Sequence, residues 1–86
     1  MLYIASKRFQ KEFIKLPKSI QKKTVTSLEK FIVDPTDRTL KQHSLSGEWK
    51  GYFSININGD VRAVYLLVKP DLAQFVAIGS HSELYG

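Results

Sequence analysis

Phe53-Ser54-Ile55-Asn56-Ile57-Asn58-Gly59-Asp60-Val61-Arg62-Ala63-Val64-Tyr65 is the stretch that decides the fold. Phe53, Ile55 and Ile57 alternate with Ser54 and Asn56, the period of a strand buried on one side. The segment from Val61 to Val68 is apolar at nearly every position, as in a central strand covered on both faces. Asn58-Gly59 is a turn signal between the two. A two-residue turn there pairs Ile57 with Asp60 and Ile55 with Arg62, which puts a guanidinium on the apolar face, where an unpaired charge is costly. An odd-numbered loop or a bulge pairs Asn56 with Arg62 and Ile55 with Ala63 instead. Burial selects this second register over turn propensity. Phe53, Ile55 and Ile57 then share a face with Val61, Ala63 and Tyr65, and Asn56 joins Arg62 on the other.

Working outward, the segment from Leu72 to Ile78 reads as a further buried strand. An even loop centred on Pro70-Asp71 pairs Arg62 with Gly79, which brings His81 onto the Arg62 face opposite Asp60. One end of an open sheet face is thus expected to collect Asn56, Asp60, Arg62 and His81. Upstream, Leu2-Tyr3-Ile4 reads as a short strand. Ser6 is a candidate N-cap for a helix through Lys15, with Phe9, Phe13 and Leu16 on one stripe. Pro17 stops that helix and suits the first turn of the next. The second helix runs to about Val33 with Ile20, Thr24, Leu28, Phe31 and Ile32 as its buried stripe, and Asp34-Pro35 ends it. The segment from Pro35 to Ser46 is a polar connection, long enough for a small domain that a functional or ordered role is expected. From Trp49 onward the chain reads as β. The order β-α-α-β-β-β predicts an α+β fold, a helical hairpin packed on a small antiparallel sheet, as a single domain over residues 1–86.

At 86 residues the chain buries only a modest core. It has no cysteine, which excludes a disulfide framework, thiolate catalysis and a Cys-based zinc site. No apolar run approaches the roughly 20 residues a bilayer span needs, so a soluble cytoplasmic protein with no membrane partner is expected. The net charge is +5, and residues 1–50 hold 11 Lys/Arg against 5 Asp/Glu while residues 51–86 hold 2 against 3. The basic character therefore belongs to the N-terminal half and implies nucleic acid or an acidic protein as partner. Lys7, Lys11, Lys15, Lys18 and Lys22 recur along the helical pair, with the loop at Pro17 interrupting their phase.

Few side chains here titrate near neutral pH, so the two histidines matter. His81 is either a strand-end histidine with a local hydrogen bond or a general acid or base, and its convergence with Arg62 and Asp60 favours the second. Arg62 suits bidentate contact with a phosphate and stabilisation of charge on a phosphorane. Asp60 is either a turn residue after Asn-Gly or the group that orients His81 or Arg62. His43 lies in the polar connection, where a solvated histidine is the ordinary case. Trp49 and Tyr52 read as sheet-packing aromatics. Tyr85 has less reason to be core, and a terminal aromatic near the site suits stacking on a base. Two histidines and scattered carboxylates show no metal-ligand spacing, and no phosphate-cradling glycine loop is present, so neither metal nor cofactor is expected.

The segments His43-Ser44-Leu45-Ser46-Gly47-Glu48-Trp49-Lys50-Gly51-Tyr52, Asp60 to Tyr65, and Gly79-Ser80-His81-Ser82-Glu83-Leu84-Tyr85 resemble the RelE/ParE superfamily of bacterial toxins, in its YafQ-like ribonuclease branch. The resemblance spans nearly the whole chain in length and element order, and that family has the β-α-α-β-β-β domain argued above. It implies the toxin of a toxin–antitoxin pair, a nuclease that cleaves messenger RNA on the ribosome without metal. In that chemistry the ribose 2′-hydroxyl attacks the adjacent phosphate and leaves a 2′,3′-cyclic phosphate and a 5′-hydroxyl. By position, the resemblance makes His43, Asp60, His81 and Tyr85 functional residues, with Arg62 the phosphate contact of the wider family. Lys50, Asn56, Lys11 and Lys15 are the expected RNA-binding residues. Asn56 stands where the branch has a histidine, and asparagine cannot be a general base. The partners implied are an antitoxin with an acidic segment, messenger RNA and the ribosome. A ParE-like inhibitor of DNA gyrase, or an inactive RNA-binding relative, is the alternative on the same fold.

Overall fold

The structure is a computed structural model that describes residues 1–85. The strands are β1 (Leu2–Ala5), β2 (His43–Ser44), β3 (Phe53–Asn56), β4 (Val61–Lys69) and β5 (Leu72–Ser80), and the helices are α1 (Lys7–Ile14), α2 (Lys18–Val33) and α3 (His81–Tyr85). Single 3-10 turns occupy Arg38–Leu40 and Gly47–Trp49. One sheet forms in the order β1-β5-β4-β3-β2.

The β3–β4 register is the one burial selects: Ile55 pairs with Ala63 and Asn56 with Arg62. The connecting loop is bulged, because the N–H groups of Ile57 and Asn58 both donate to the Val61 carbonyl. The Asn58 side-chain oxygen then accepts the N–H of Asp60 at 2.9 Å and of Val61 at 2.7 Å. Arg62 pairs with Gly79 across the next hairpin. The sheet departs from the antiparallel expectation at one edge, where β1 runs parallel to β5. Parallel neighbours need a long connection, and here it runs through the helical hairpin to the far edge and back along β2, β3 and β4. The end of β5 that β1 leaves unpaired is covered by α1: the Ile78 N–H donates to the Glu12 carboxylate at 3.1 Å, and the Ser6 hydroxyl donates to the Val76 carbonyl at 3.3 Å. An edge capped this way offers no template for a further strand.

Ser6 is the N-cap of α1, its hydroxyl accepting the Phe9 N–H at 3.1 Å. Gln21 clips the corner of the hairpin through its amide, which donates to the Leu16 carbonyl at 2.9 Å. In α2 the buried residues are Thr24, Ser27, Leu28 and Phe31. Ile32, expected in the stripe, is 42% exposed. It follows Phe31 by one residue, about 100° around the helix, and so leaves the buried arc that Ser27 completes. The main core lies between the hairpin and the sheet and includes Phe9, Leu28, Phe31, Ile55, Tyr65 and Phe75. Phe31, Tyr65 and Phe75 form an aromatic triangle with ring centroids 4.9–5.1 Å apart.

The opposite face is less open than the alternation implies. Val64, Ala77 and Leu84 form a second, smaller buried cluster, with Leu45, Trp49, Tyr52, Val76 and Tyr85 packed around it. The last described residues turn back over the sheet as α3, and the Trp49 indole N–H donates to the Leu84 carbonyl at 3.0 Å. The polar connection is also more ordered than a loop, since its His43–Ser44 segment adds to β3 as an edge strand. No helix among the described residues is long and apolar enough to cross a membrane.

Candidate active site

The turn that carries His81 is built by a Ser80-x-x-Glu83 capping box. The Glu83 N–H donates to the Ser80 hydroxyl at 3.2 Å, and the Ser80 N–H donates to the Glu83 carboxylate at 2.7 Å. The two contacts satisfy donors that a helix start otherwise leaves unpaired. The Ser80 N–H, and after it the Ser80 hydroxyl, hold the Glu83 carboxyl below its usual range. This pattern was open to sequence reading and is what the strand-end reading of His81 misses: the chain leaves β5 at Ser80 and His81 is the first residue of a helix.

His81 is fixed at both ends of its residue. Its N–H donates to the Asp60 carbonyl at 3.2 Å. Its ring meets the Tyr85 ring edge-on at 4.8 Å, an i,i+4 contact. Its ring nitrogens have no protein partner among the described residues. Tyr85, expected to stack on a base, borders the cleft and packs against the second cluster, and its hydroxyl is buried without a hydrogen-bond partner among the described residues.

His43 sits on the edge strand opposite Ser54. Its Nδ1 is 3.0 Å from the Lys41 carbonyl, which can only accept, so Nδ1 carries a proton. Its Nε2 is 3.3 Å from the hydroxyl of fully buried Ser54. The neutral ring accepts from that hydroxyl, and the charged ring donates to it. The Lys41 backbone holds this geometry with φ 47°, in the left-handed region that a residue with a Cβ seldom enters.

Arg62 reaches back over the β3–β4 loop. One terminal nitrogen donates to the carbonyls of Asn58 at 3.2 Å, Gly59 at 3.3 Å and Val61 at 3.4 Å. The other guanidinium donors remain for a ligand.

His43, Arg62, His81 and Tyr85 come together with Leu45 and Ser46 around a cleft of about 350 Å³. Two imidazoles and a guanidinium line it, and no carboxylate does among the described residues. Such a lining favours an anion and supplies proton transfer beside it. The other expected residues lie outside the lining. Asp60 is exposed and reaches His81 only through its main chain, without a side-chain bond to His81 or Arg62 among the described residues. Asn56 shares the Arg62 rung but borders a separate hollow with Lys30, Thr39 and Lys41. Lys50 closes the Gly47–Trp49 turn and is exposed. Lys11 and Lys15 are exposed on the α1 side of the sheet, away from the cleft.

A helical hairpin over one face of this sheet, with a basic His-Arg-His cleft on the other, defines a toxin of the RelE/ParE superfamily. More narrowly, residues 3–86 match the family described as bacterial toxin of type II toxin–antitoxin system, YafQ, and the chain belongs to that family. A point mutant of YafQ from Escherichia coli is 25% identical and superposes with a TM-score of 0.75, covering 98% of this chain and 97% of that one. A copper-bound mutant toxin from Helicobacter pylori is 33% identical, with a TM-score of 0.68 and 99% of each chain covered. YafQ in the Escherichia coli DinJ–YafQ complex is 26% identical, with a TM-score of 0.71 over 98% of this chain and 97% of that one. Comparison with curated protein sequences finds no match. No group of three or more potential metal ligands occurs among the described residues.

Proposed function

We propose that this toxin is a ribosome-dependent endoribonuclease that cuts messenger RNA by attack of a ribose 2′-hydroxyl on the adjacent phosphate. The observation that carries the reading is the His81 ring, with neither nitrogen bonded to protein among the described residues, facing the same cleft as Arg62. In the reaction the 2′-oxygen–phosphorus bond forms and the phosphorus–5′-oxygen bond breaks. The 2′-hydroxyl loses its proton to a base, and the departing 5′-oxygen takes a proton from an acid. His81 serves as acid or base, because its nitrogens are the ones not committed to the protein. Arg62 stabilises the extra charge on the phosphorane through the donors its loop carbonyls leave free. His43 assists from the other wall by positioning the substrate and not by proton transfer, since both of its nitrogens face protein oxygens. Asp60 positions His81 through its carbonyl, and Tyr85 backs the His81 ring.

An antitoxin is the proposed cognate partner, as DinJ is for YafQ. The exposed lysines of the helical layer, Lys11 and Lys15 among them, suit its acidic segment or ribosomal RNA, while Lys50 lies nearer the message. The protein is expected to act in the cytoplasm, where messages are translated.

The test is cleavage of a translated message by purified ribosomes and toxin, with analysis of the cut ends. His81→Ala should lose roughly 10²- to 10⁴-fold in cleavage while still folding and binding antitoxin. His43→Ala should lose less. Asn56→His should raise the rate only if the site lacks a base, and should do little if Arg62 and His81 suffice. Full activity in His81→Ala, or 5′-phosphate ends, would remove the mechanism. Gyrase inhibition without cleavage would give the chain the ParE-like role.

A further inference from the structure

Beside the cleft lies a second hollow of about 340 Å³, lined by Ser27 and Lys30 of α2, Thr39 and Lys41, and the segment Asn56-Ile57-Asn58-Gly59. Its polar groups are mostly donors. The Lys30 ammonium is held in place by a 3.2 Å bond to the Thr39 hydroxyl. Lys41 is exposed. The Asn56 side chain has no partner among the described residues, and Asn58 uses only its oxygen, so both amide nitrogens are free to donate. No carboxylate lines the hollow among the described residues. Asp37 lies within electrostatic reach of Lys30, and its oxygen accepts the Thr39 N–H and hydroxyl. Two ammonium groups and two amide nitrogens, with no carboxylate among the described lining residues, make an anion site.

The hollow and the cleft share a wall at two points. Asn56 of the hollow is paired with Arg62 of the cleft, on adjacent strands. Lys41 lines the hollow while its carbonyl holds the His43 ring of the cleft. A polyanion crossing one site at Arg62 therefore continues over the Asn56–Arg62 rung into the other. The left-handed backbone at Lys41 places its carbonyl toward one site and its residue at the rim of the second.

We propose that this hollow is a second phosphate subsite, which grips the backbone of the single-stranded RNA whose scissile phosphate lies in the cleft. The inference rests on the nuclease reading for its ligand and adds where the strand runs: past Asn56 toward Lys30 and Lys41. Lys30 and Lys41 are then binding residues that act on substrate affinity, not on proton transfer.

The experiment uses the full chain carrying His81→Ala, so that RNA survives, and a fluorescein-labelled single-stranded oligoribonucleotide whose affinity is followed against salt by anisotropy. Adding Lys30→Gln and Lys41→Asn, the latter chosen because asparagine tolerates left-handed φ, should flatten the plot of log K against log salt by about 1.4, two contacts at about 0.7 each for a single strand. A charge-matched control, Lys18→Gln with Lys69→Gln, should leave the slope unchanged. In the His81-intact protein the Lys30/Lys41 variant should raise KM for message cleavage with little change in kcat. Thermal midpoint and antitoxin affinity report that the variant is folded. An unchanged slope, an equal flattening by the control, or lost antitoxin affinity with RNA binding intact would each overturn the subsite, the last by giving the hollow to an antitoxin carboxylate. The two readings fail separately. Wild-type protein that binds the oligoribonucleotide but cuts no message removes the nuclease and leaves the subsite, whereas message cleavage unaltered in the Lys30/Lys41 variant removes the subsite alone.

Discussion

The two faces of the sheet are built to different standards. Under the helical hairpin, rings and branched side chains from α1, α2, β3, β4 and β5 interlock around Phe31 and Phe75, neither of which shows any exposure. On the cleft face the buried cluster has only Val64, Ala77 and Leu84, covered by a five-residue helix and a 3-10 turn. The thick layer determines that the chain folds. The thin one is where polar groups remain unpaired and a ligand can approach, as expected when reactive side chains sit on short elements over a rigid scaffold. A small domain has little stability in reserve, so its function is placed where packing contributes least.

The contrast breaks most visibly from the thick side. Phe75 touches Tyr3, Phe9, Phe31 and Tyr65. Phe75→Ala should lower unfolding free energy by about 3–5 kcal/mol, measured by urea denaturation, a large share of what a domain this size possesses. Antitoxin binding and RNA cleavage should then fall together with the folded fraction. A variant that loses cleavage while its denaturation midpoint stays put would show that the two faces are coupled by something other than stability.

How far each face was legible follows from the same contrast. The register of β3 on β4 was readable because a one-residue slip would have buried Arg62 among Ile55 and Ala63, and burial is a strong selector. Ser6 and Pro17 announced the helix starts for local chemical reasons. The parallel pairing of β1 with β5 was not readable, because it depends on where the long connection lands and not on β1 itself. The cleft residues His43, Arg62, His81 and Tyr85 were named, but their supports were not. Nothing in the sequence marks Lys41 for a left-handed backbone, a conformation that lysine has no preference for. Two residues of edge strand at His43–Ser44 give no alternation to detect. The Ser80-x-x-Glu83 box is a local helix-start signal left unread, because the apolar run of β5 carries the strand reading up to His81.

A substitution in the thin layer should act in the opposite direction to one in the thick layer. The Tyr85 hydroxyl is buried with no hydrogen-bond partner among the described residues. A buried hydroxyl in that state carries an uncompensated desolvation cost of about 1–3 kcal/mol. Tyr85→Phe keeps the ring against His81 and removes the orphan oxygen, so it should stabilise the protein by about 1 kcal/mol and leave cleavage near the wild-type rate. Tyr85→Ala should lose both the His81 backing and the cluster contact. Destabilisation by Tyr85→Phe would show that the oxygen has a partner in solution.

The smallest effect expected is on the α3 turn alone, and it is set by pH. Glu83 accepts the Ser80 N–H only as a good acceptor, and its carboxyl is held below its usual value of 4.5 by that bond and by the Ser80 hydroxyl. A depressed folded-state pKa means that the stabilisation is fully present above the unfolded value and is lost as pH falls through the folded one. At neutral pH the turn is therefore intact, and it frays only in acid, below about the unfolded value of 4.5. Hydrogen exchange of the amides from Glu83 to Tyr85, corrected for the intrinsic pH dependence, should show protection falling across that acid window while amides of β4 keep theirs. Glu83→Gln retains an acceptor oxygen but cannot titrate, so its protection should be lower at neutral pH and flat across the window. Because His81 is the first residue of this turn and Tyr85 its last, Glu83→Gln should also reduce message cleavage without moving the urea midpoint. Protection that stays constant from neutral pH into acid in the wild-type chain would mean that packing of Leu84 against Val64 and Ala77 alone holds the turn, and that the thin layer is more robust than its hydrogen bonds imply.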